Sequence, residues 1–331
     1  MLYRTLLTAS GMLWTVTAFA QFGVNGFVYG IGDNREFANS KMAYSQTIMG
    51  TQYGVEADFF PVEGHHLRLG FNHFFEFGAD IDEQKPKLTA YYLYDDRHTT
   101  FSFGAFPRSS LANQYPLALL TDTLLYYRPN IEGLLVRRSW RSGYEEAFVD
   151  WTGRQTVTRR EAFMACAAGS QTVVGPLSFR HFMTLYHNAL KSEEQSDVHI
   201  EDNFAIIAYM NCDFSAMLNM PAAYIRAGTF VSTFRERHIS TFENAQSFFG
   251  ELRMEIPHFF LNAVYSCGDG HHIIAGDRMY RARSYMRADT GWNFINLDKI
   301  KGHFNWSFHL VDGYLDHSQQ LSLIYRLEYK K

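Results

Sequence analysis

Histidines beside small and acidic residues are the side chains of this sequence that could do chemistry. The chain has 14 His, and two adjacent pairs stand out: His65-His66, and His271-His272 in the stretch Cys267-Gly-Asp-Gly-His-His. A His pair beside an Asp could hold a metal ion, but adjacent residues of a strand point to opposite faces, so a loop would have to bring both rings to one ion. A solvated loop is the simpler interpretation, and no metal site is predicted.

Nucleophilic or acid–base catalysis would need a Ser or an Asp brought close to a His by the fold. The sequence contains no Gly-x-Ser-x-Gly, no His-Glu-x-x-His and no phosphate-binding loop. Three cysteines, Cys166, Cys212 and Cys267, match the spacing of no zinc ribbon or redox pair and are interpreted as small apolar fillers. The sequence therefore nominates no catalytic residue and no cofactor, and it predicts a protein that is not an enzyme.

Charged side chains instead recur at every second position of predicted strands. Near the C-terminus, Arg326 and Glu328 alternate with Leu327 and Tyr329, which gives one polar and one apolar face. The same period of two occurs in five other segments, at 51–59, 66–72, 146–154, 248–256 and 304–310. These strands must position any polar site, because they place all their charges on one side of a sheet.

The links between predicted strands alternate in length. Short turns are predicted at 61–64, 95–98, 141–143, 169–175, 217–221 and 257–258. Longer links are predicted at 31–49, 78–86, 107–130, 188–200, 236–246 and 267–277. This alternation is typical of membrane barrels, which have short periplasmic turns and longer external loops, and it gives about 16 strands, within a range of about 14 to 18.

Residues 1–20 have the pattern of a secretory signal peptide. One basic residue, Arg4, precedes an uncharged apolar run that ends in the small-x-small sequence Ala18-Phe19-Ala20. The alternative is an N-terminal membrane anchor, for which the run is short. The sequence predicts removal of residues 1–20 and one domain over residues 21–331.

Composition also indicates strands rather than helices as the membrane-spanning elements. Aromatic residues make up 16% of the chain, with 29 Phe and 20 Tyr, yet the mean hydropathy is only −0.22 and no uncharged run after residue 20 could form a membrane helix. Both features suit strands in which each lipid-facing residue is followed by a lumen-facing one. The net charge of −4 gives no basic surface for a nucleic acid, and no nucleic-acid partner is predicted.

A closed membrane barrel explains why charges occupy one face. In hydrocarbon every backbone amide needs an internal partner, so strands survive only in a closed barrel, and charges are tolerated only on the side facing a polar interior. The alternative is a secreted sandwich or soluble barrel, which has the same period of two. The aromatic and aliphatic outer face of the last strand and the alternating links favour an all-β, transmembrane, antiparallel up-and-down barrel.

The sequence resembles the outer-membrane β-barrel proteins of Gram-negative bacteria, and porin-like members fit best in size. The resemblance lies in the leader, in the alternating strands and in a C-terminal pattern similar to the signal that the barrel-assembly machinery recognises: Leu321, Leu323, Tyr325, Leu327 and Tyr329. Two lysines follow Tyr329, whereas the closing aromatic residue is usually the last one in that class. The resemblance implies a location in the cell outer membrane, contact with outer-membrane lipids and insertion by that machinery.

A barrel of about 16 strands is wide enough for an aqueous channel, so passive diffusion of small polar solutes is the leading functional prediction. Side chains at every second position of a strand share a face, and we call assignment by this rule strand parity. It places the following charged residues toward the lumen: Glu56, Asp58, Arg68, Glu76, Asp150, Glu251, Arg253, Arg281, Arg283, Arg287, Arg326 and Glu328. The link 107–130 is the longest, and it could fold inward as a constriction or stand outside as a surface loop. No solute or ion preference follows from these residues.

A second hypothesis is a closed barrel that serves as a structural or accessory subunit of an outer-membrane complex. The poor alternation of residues 131–141 and the doubly apolar segment 204–210 favour it, since a lumenal loop or plug could cover the latter. A homo-oligomer or another envelope protein is then the expected partner. Conductance without a stable partner would support the channel, and a stable partner without conductance would support the subunit.

Overall fold

The computed structural model describes residues 21–191 and 199–330. Within these ranges, sixteen antiparallel strands form one closed barrel in which each strand pairs with its neighbours in sequence and the last pairs with the first. The strands are β1 Gln21–Glu36, β2 Gln46–Val62, β3 His65–Glu76, β4 Lys87–Asp95, β5 Thr99–Pro107, β6 Asn130–Trp140, β7 Gly143–Gly153, β8 Ala162–Val174, β9 Leu177–Asn188, β10 Glu201–Asp213, β11 Ala222–Glu236, β12 Glu243–Glu255, β13 Phe259–Gly268, β14 Ser284–Asn296, β15 Ile300–Val311 and β16 Tyr314–Lys330. The predicted fold class and the expected strand number are confirmed.

Helical structure is confined to single turns in the described part of the chain. These are α1 (Leu124–Tyr127), α2 (Ser215–Leu218) and three 3-10 turns at Ile81–Glu83, Arg108–Ser110 and Arg278–Arg281. None of the helices in residues 21–191 and 199–330 has the length and apolarity to cross a membrane. The predicted signal peptide lies outside the described residues, and its removal stays a prediction.

The last strand closes the barrel by pairing with the first. Residues Gly23 to Glu36 of β1 lie opposite Lys330 to His317 of β16 in continuous antiparallel register. Arg326 and Glu328 of β16 face inward, where they line a cavity together with Asn25 of β1. The polar face that the C-terminal alternation predicts is thus the inner wall of the seam.

The outer wall is mainly apolar, and the buried charged groups lie on the inner wall. On β16 the outward Leu321 and Leu323 are 52% and 47% exposed, whereas the inward Asp58 of β2 and Asp150 of β7 are 1% and 0% exposed. This division is what a barrel in lipid requires, since outward charges would have to leave water for hydrocarbon.

Two neighbouring residues of β16 test this division. Replacing the outward Leu323 by arginine is expected to lower the free energy of unfolding by about 2–4 kcal/mol, because the charge would enter the apolar part of the bilayer. Replacing the adjacent, inward Ser322 by arginine is expected to cost less, since Ser322 lines a lumenal cavity. Urea unfolding in lipid vesicles measures both values, and equal losses in the two variants would contradict the assigned faces.

The connections at the two ends of the barrel differ in length. One end, here the short-turn end, carries the links 63–64, 96–98, 141–142, 175–176, 214–221, 256–258 and 297–299. The other, the long-loop end, carries 37–45, 77–86, 108–129, 154–161, 189–200, 237–242, 269–283 and 312–313. The connections 154–161, 297–299 and 312–313 were not predicted, and the predicted turn 169–175 lies later because β8 continues to Val174 before Gly175 turns the chain at φ +51°.

Two connections from the long-loop end fold into the barrel. We call residues 108–129 the first inward segment and residues 269–283 the second inward segment. They pair through the backbone, because the Thr121 amide donates to Ala275 O and the Asp277 amide donates to Leu117 O, each at 2.8 Å. Of the two positions open for the link 107–130, the structure shows the inward one.

The inward segments give the barrel an apolar core. Leu119 of the first segment and Met279 of the second are fully buried, in one cluster with the inward side chains of β10. Ala205 and Ile207 of β10 are themselves 0% exposed. The segment 204–210 is apolar on both faces because one face meets lipid and the other meets the inward segments. Residues 131–141, where alternation is poor, form the regular strand β6 except for Arg141.

Candidate functional site

Buried polar side chains collect at the long-loop end, where β14, β15, β16 and β1 meet the inward segments. A cavity of about 30 Å³ lies among them, which is room for a water molecule. We call this cavity the rim pocket. The residues that line it are Asp33, Arg35, Phe37, Asp122, Asp277, Arg287, Asn305, Ser307, His309, Ser318 and Gln320.

His309 joins two hydroxyl groups at the rim pocket. Its Nδ1 lies 2.8 Å from the Tyr285 hydroxyl, and its Nε2 lies 3.2 Å from Ser318 Oγ. A neutral imidazole has one donor and one acceptor nitrogen, so a ring that donates from Nδ1 to Tyr285 can accept the Ser318 hydroxyl hydrogen at Nε2. This is the arrangement of a serine nucleophile, a histidine base and a third group that orients the base.

Strand register sets this geometry. On β15, His309 lies opposite Arg287 of β14 and Asp316 of β16, and Ser307 lies opposite Ser318. Ser318 is therefore diagonal to His309 on the same inward face, within reach of the imidazole. The side chain of His309 is 2% exposed, and the ring of Phe37 meets it edge-on at 5.1 Å.

Two arginines bring positive charge to the rim pocket. Arg35 Nη2 donates to Asp33 Oδ2 at 2.6 Å and to Asp122 Oδ1 of the first inward segment at 3.0 Å. Arg287 donates to Asp289 Oδ1 at 2.6 Å and to Ser307 Oγ at 3.2 Å. Fixed guanidinium groups of this kind can stabilise negative charge that develops on a substrate oxygen.

A further carboxyl group, that of Asp277, comes from the second inward segment. Its Oδ1 accepts a hydrogen bond from the Met279 amide at 3.0 Å. Burial raises the pKa of Asp277, while the hydrogen bond from Met279 acts in the opposite direction. The pocket therefore holds a carboxyl group that is easier to protonate than an exposed one.

The connection beside the rim pocket is the shortest at the long-loop end. β15 and β16 are joined by Asp312 and Gly313 alone, both with positive φ, as a two-residue hairpin turn requires. The connection 37–45 covers this edge, since the Asn39 and Ser40 amides donate to the two oxygens of Asp316 at 2.9 and 3.1 Å. Just outside the wall, Leu310 and Leu315 are 40% and 54% exposed. The rim pocket and the lipid-facing surface are thus separated by a single hairpin with a short turn.

A second serine–histidine group anchors the second inward segment. His271 Nδ1 lies 2.8 Å from Ser232 Oγ of β11, and its Nε2 lies 2.8 Å from Ser247 Oγ of β12. The ring stacks on Phe230 at 3.6 Å and is 1% exposed. Burial lowers the pKa of His271 to about 4. His271 does not line the rim pocket, and its contacts join the second inward segment to β11 and β12, so we assign it to holding the segment.

The anchoring by His271 is expected to weaken in acid. Its ordinary pKa is 6.5, so between pH 6.5 and about 4 the unfolded segment binds a proton that the folded segment excludes. The contribution of the neutral ring is complete above pH 6.5 and is lost as the pH falls toward about 4. Hydrogen exchange read by mass spectrometry should show lower protection of residues 269–283 at pH 4.5 than at pH 7, when each rate is divided by the intrinsic amide exchange rate at that pH.

His271→Gln should reduce this pH response, because glutamine stays neutral at both pH values, while His272, whose pKa burial also lowers, keeps its own share. The matched control is His258→Gln on an exposed turn at the opposite end of the barrel, which should keep the wild-type response. Parallel pH profiles of wild type and His271→Gln would contradict the assignment.

Most of the charged residues that parity placed toward the lumen lie on inward faces. Arg68 Nη2 is 3.1 Å from Asp58 Oδ2, and Arg68 Nη1 donates to the Tyr91 hydroxyl, which donates to Glu56. Glu76 accepts a hydrogen bond from Tyr127 of the first inward segment at 3.0 Å. These side chains support the wall or hold the segment, and none lines the rim pocket.

The remaining predicted residues fall into three groups. Asp150 pairs with Arg108, and Glu251 with Arg226. Arg253, Glu251 and Arg287 line a larger lumenal cavity, and Arg287 also reaches the rim pocket. Arg281 and Arg283 lie in the second inward segment rather than on a strand, so strand parity does not apply to them. Placing them by parity was wrong for that reason.

The histidine pairs do not form metal sites. His66 Nδ1 lies 3.0 Å from Asp58, whereas His65 Nδ1 faces Tyr92 at 2.7 Å. His271 stacks on Phe230, whereas His272 lies tilted against a different ring, that of Phe234. Across residues 21–191 and 199–330, no group of three or more His, Cys, Asp or Glu side chains is arranged to hold a metal ion.

The fold is a closed, sixteen-stranded antiparallel β-barrel of the porin type. Similar solved structures include a loop-deletion variant of OmpT from Vibrio cholerae (TM-score 0.59, 9% identity, 93% of this chain and 100% of that one), OmpF of Salmonella typhi (0.53, 11%, 94% and 99%) and OccK11 of Pseudomonas aeruginosa (0.52, 8%, 94% and 96%). At these identities the likeness shows the fold alone, and at that level it agrees with the predicted outer-membrane location.

The family model described as lipid A 3'-O-deacylase-type matches residues 20–330, so the chain belongs to this family. A comparison with curated proteins finds no match. The family is named for an enzymatic activity, and the prediction that the chain is not an enzyme is therefore wrong. It rested on the absence of contiguous motifs, and the candidate residues Ser318, His309 and Tyr285 come from three different strands, where such motifs would not be found.

Proposed function

We propose that this protein hydrolyses a fatty-acyl ester of lipid A at the long-loop end of the barrel. The observation that carries the proposal is the contact of His309 with Ser318 and Tyr285 beside a cavity large enough for water. The family match supplies the substrate class. The two-residue turn at Asp312 and Gly313 supports the location, because it is the only covering that the β15–β16 connection adds at the end of the barrel, and ester groups of a membrane lipid lie where acyl chains meet the polar headgroup.

In the proposed reaction His309 is the general base and Ser318 the nucleophile. His309 Nε2 takes the proton of the Ser318 hydroxyl while Oγ bonds to the ester carbonyl carbon, and the carbonyl oxygen becomes an oxyanion. The carbon–oxygen bond to the sugar then breaks, and the leaving alcohol takes the proton from His309. Water repeats these steps on the acyl-serine, which releases the fatty acid and restores Ser318.

The other polar groups have positioning and electrostatic roles in this proposal. Tyr285 accepts the Nδ1 hydrogen and so fixes the tautomer in which Nε2 is the base. Arg35 and Arg287 line the rim pocket, and although each is paired with an aspartate, their guanidinium groups can donate hydrogen bonds to the oxyanion. The apolar outer surface at Leu310 and Leu315 leaves room for the acyl chains in the membrane.

The test is acyl release by the purified, folded protein. Lipid A is incubated with the protein in mixed micelles, and mass spectrometry follows the loss of individual acyl chains. We expect release of an ester-linked chain, with amide-linked chains left in place, because the proposed leaving group is an alcohol. Folded protein that releases no fatty acid from lipid A would overturn the proposal.

Passive diffusion of small polar solutes is a second candidate function, favoured by a lumenal cavity of about 550 Å³ below the inward segments. The paired segments 108–129 and 269–283 narrow the route, so we expect a small conductance in planar bilayers. Removal of residues 112–126 should raise it. The absence of any ion-permeable state in both proteins would overturn this candidate without bearing on hydrolysis.

A further inference from the structure

The cavity of about 550 Å³ has a chemistry of its own, separate from the rim pocket. It lies below the first inward segment, which contributes Tyr115 to its lining. Four arginines from the barrel wall face it: Arg180, Arg226, Arg253 and Arg287. Its size is within the range of about 300–1,000 Å³ that is usual for small-molecule sites.

Three of these arginines already have carboxylate partners. Arg226 Nη1 is 2.7 Å from Glu251, Arg253 Nη2 is 2.6 Å from Glu255, and Arg287 Nε is 2.6 Å from Asp289. Each of these guanidinium groups is therefore largely neutralised by its neighbour on the wall.

Arg180 of β9 is different. Among the residues that the structure describes, its side chain has no ion pair and no hydrogen bond, and its Nε is buried without a partner. A buried donor of this kind is costly to leave unpaired, and more so on a charged group. Arg180 thus gives the cavity an uncompensated positive charge and unused hydrogen-bond donors.

Aromatic rings lie next to the arginines. The Arg226 guanidinium lies over Tyr224 at 3.9 Å and over Tyr209 at 5.3 Å, and Arg253 lies over Phe260 at 4.6 Å. Tyr209, Tyr224 and Phe260 all line the cavity. Ring faces of this kind can pack against the body of a cyclic ligand while a cationic group holds its charged substituent.

We propose that this cavity binds a small cyclic organic anion of sugar size, with Arg180 as the principal anchor for its carboxylate or phosphate group. The guanidinium fork offers two parallel hydrogen bonds to such an oxyanion, which a lysine cannot reproduce. The paired arginines orient the ligand, and the aromatic rings contact its body. This binding function is independent of acyl hydrolysis and goes beyond it.

The test uses full-length folded protein in detergent and titration calorimetry with three probes: glucuronate, glucose 6-phosphate and neutral glucose. We expect saturable binding of at least one anion, at least tenfold tighter than any binding of glucose. The anion that binds more tightly identifies whether a carboxylate or a phosphate is preferred.

Variants assign the binding to Arg180. Arg180→Ala should weaken anion binding at least tenfold, and Arg180→Lys should fall between it and wild type. The matched control is Arg154→Ala, which removes one exposed arginine from the connection between β7 and β8. Heat-dependent gel mobility checks that each barrel is folded, and Arg180→Gln substitutes for the alanine variant if that one fails to fold.

Three outcomes would overturn the inference. These are the absence of saturable anion binding by wild type, equal affinity for glucose and the anions, and equal affinities in the Arg180 and Arg154 variants. None of the three depends on whether the protein releases fatty acids.

Discussion

Replacing His309 by alanine is expected to lower the rate of fatty-acid release from lipid A by about 10²- to 10⁴-fold, the usual effect of removing a positioned general base. The loss should appear mainly in kcat, because His309 is buried behind Ser318 and contacts the reacting hydroxyl rather than the acyl chains. Steady-state kinetics on lipid A in mixed micelles measure it.

His303 offers a matched control for this experiment. It lies on the same strand and also faces the lumen, but it lines the larger cavity and contacts Asn293 rather than a hydroxyl of the rim pocket. His303→Ala should therefore retain wild-type kinetics. A His309→Ala protein that is folded and as active as His303→Ala would contradict the assignment of the base.

Ser318→Ala separates the nucleophile from the base. If Ser318 attacks the ester, this variant loses activity to about the same extent as His309→Ala, because the two groups act as one unit. Trapping of an acyl-enzyme by mass spectrometry would then locate the acyl group on Ser318. Activity that survives in Ser318→Ala but not in His309→Ala would mean that water in the rim pocket is the nucleophile instead.

The inner and outer faces of the strands could be predicted from the sequence. Every strand of a membrane barrel must direct apolar side chains toward lipid and may direct polar ones toward the interior. Leu327 must face lipid and Arg326 must face the interior wherever β16 lies in the barrel, so a period of two is enough to assign them. The same logic fails for Arg281 and Arg283, where the chain leaves the sheet. Parity carries no information in a segment that has no strand partners.

The candidate site was missed because it depends on contacts between strands. One signal could have found part of it: Asp312-Gly313 is a strong two-residue hairpin sequence. That turn fixes the register of β15 and β16, places Ser307 opposite Ser318 and leaves His309 diagonal to Ser318 on the inward face. Tyr285 and Asp122 could not be added in this way, since their approach requires the closed barrel and the inward path of residues 108–129.

The inward path itself was left open by the sequence because a long polar link has no period to interpret. The partners of its apolar residues are distant in sequence, since Leu119 and Tyr115 pack against the inward faces of several strands. What holds the segment is a small number of buried charges on β7. Asp150 is one of these, and it was selected by parity as lumen-facing without any indication of what it would contact.

The second large effect is expected at Asp150, the 0% exposed carboxylate that joins both ends of the first inward segment to the wall. Its Oδ2 accepts from Arg108 Nη2 at 2.5 Å, and its Oδ1 accepts from the Glu132 amide at 3.1 Å and lies 3.7 Å from Arg128. Asp150→Ala would leave the buried Arg108 guanidinium without its counterion. Removing one partner of a buried ion pair costs about 3–5 kcal/mol.

The loss should be visible in two measurements. Urea unfolding in vesicles should show a lower free energy of unfolding, and limited proteolysis should cut within residues 108–129 while the strands stay intact. Glu145→Ala is the matched control, because Glu145 lies on the same strand but is half exposed, and its contact with His181 is worth under about 1 kcal/mol.

The double variant Arg108→Met, Asp150→Leu distinguishes a missing counterion from a missing side chain. Replacing a buried ion pair by apolar residues of similar volume is often neutral, so the double variant should regain much of the stability that Asp150→Ala loses. If it stays as unstable as Asp150→Ala, the hydrogen bond to the Glu132 amide is the more important contact. If Asp150→Ala unfolds and is cleaved like wild type, the first inward segment is held by other contacts, and Glu146, which accepts from the Ala112 amide at 3.0 Å and pairs with Arg137, becomes the residue to replace.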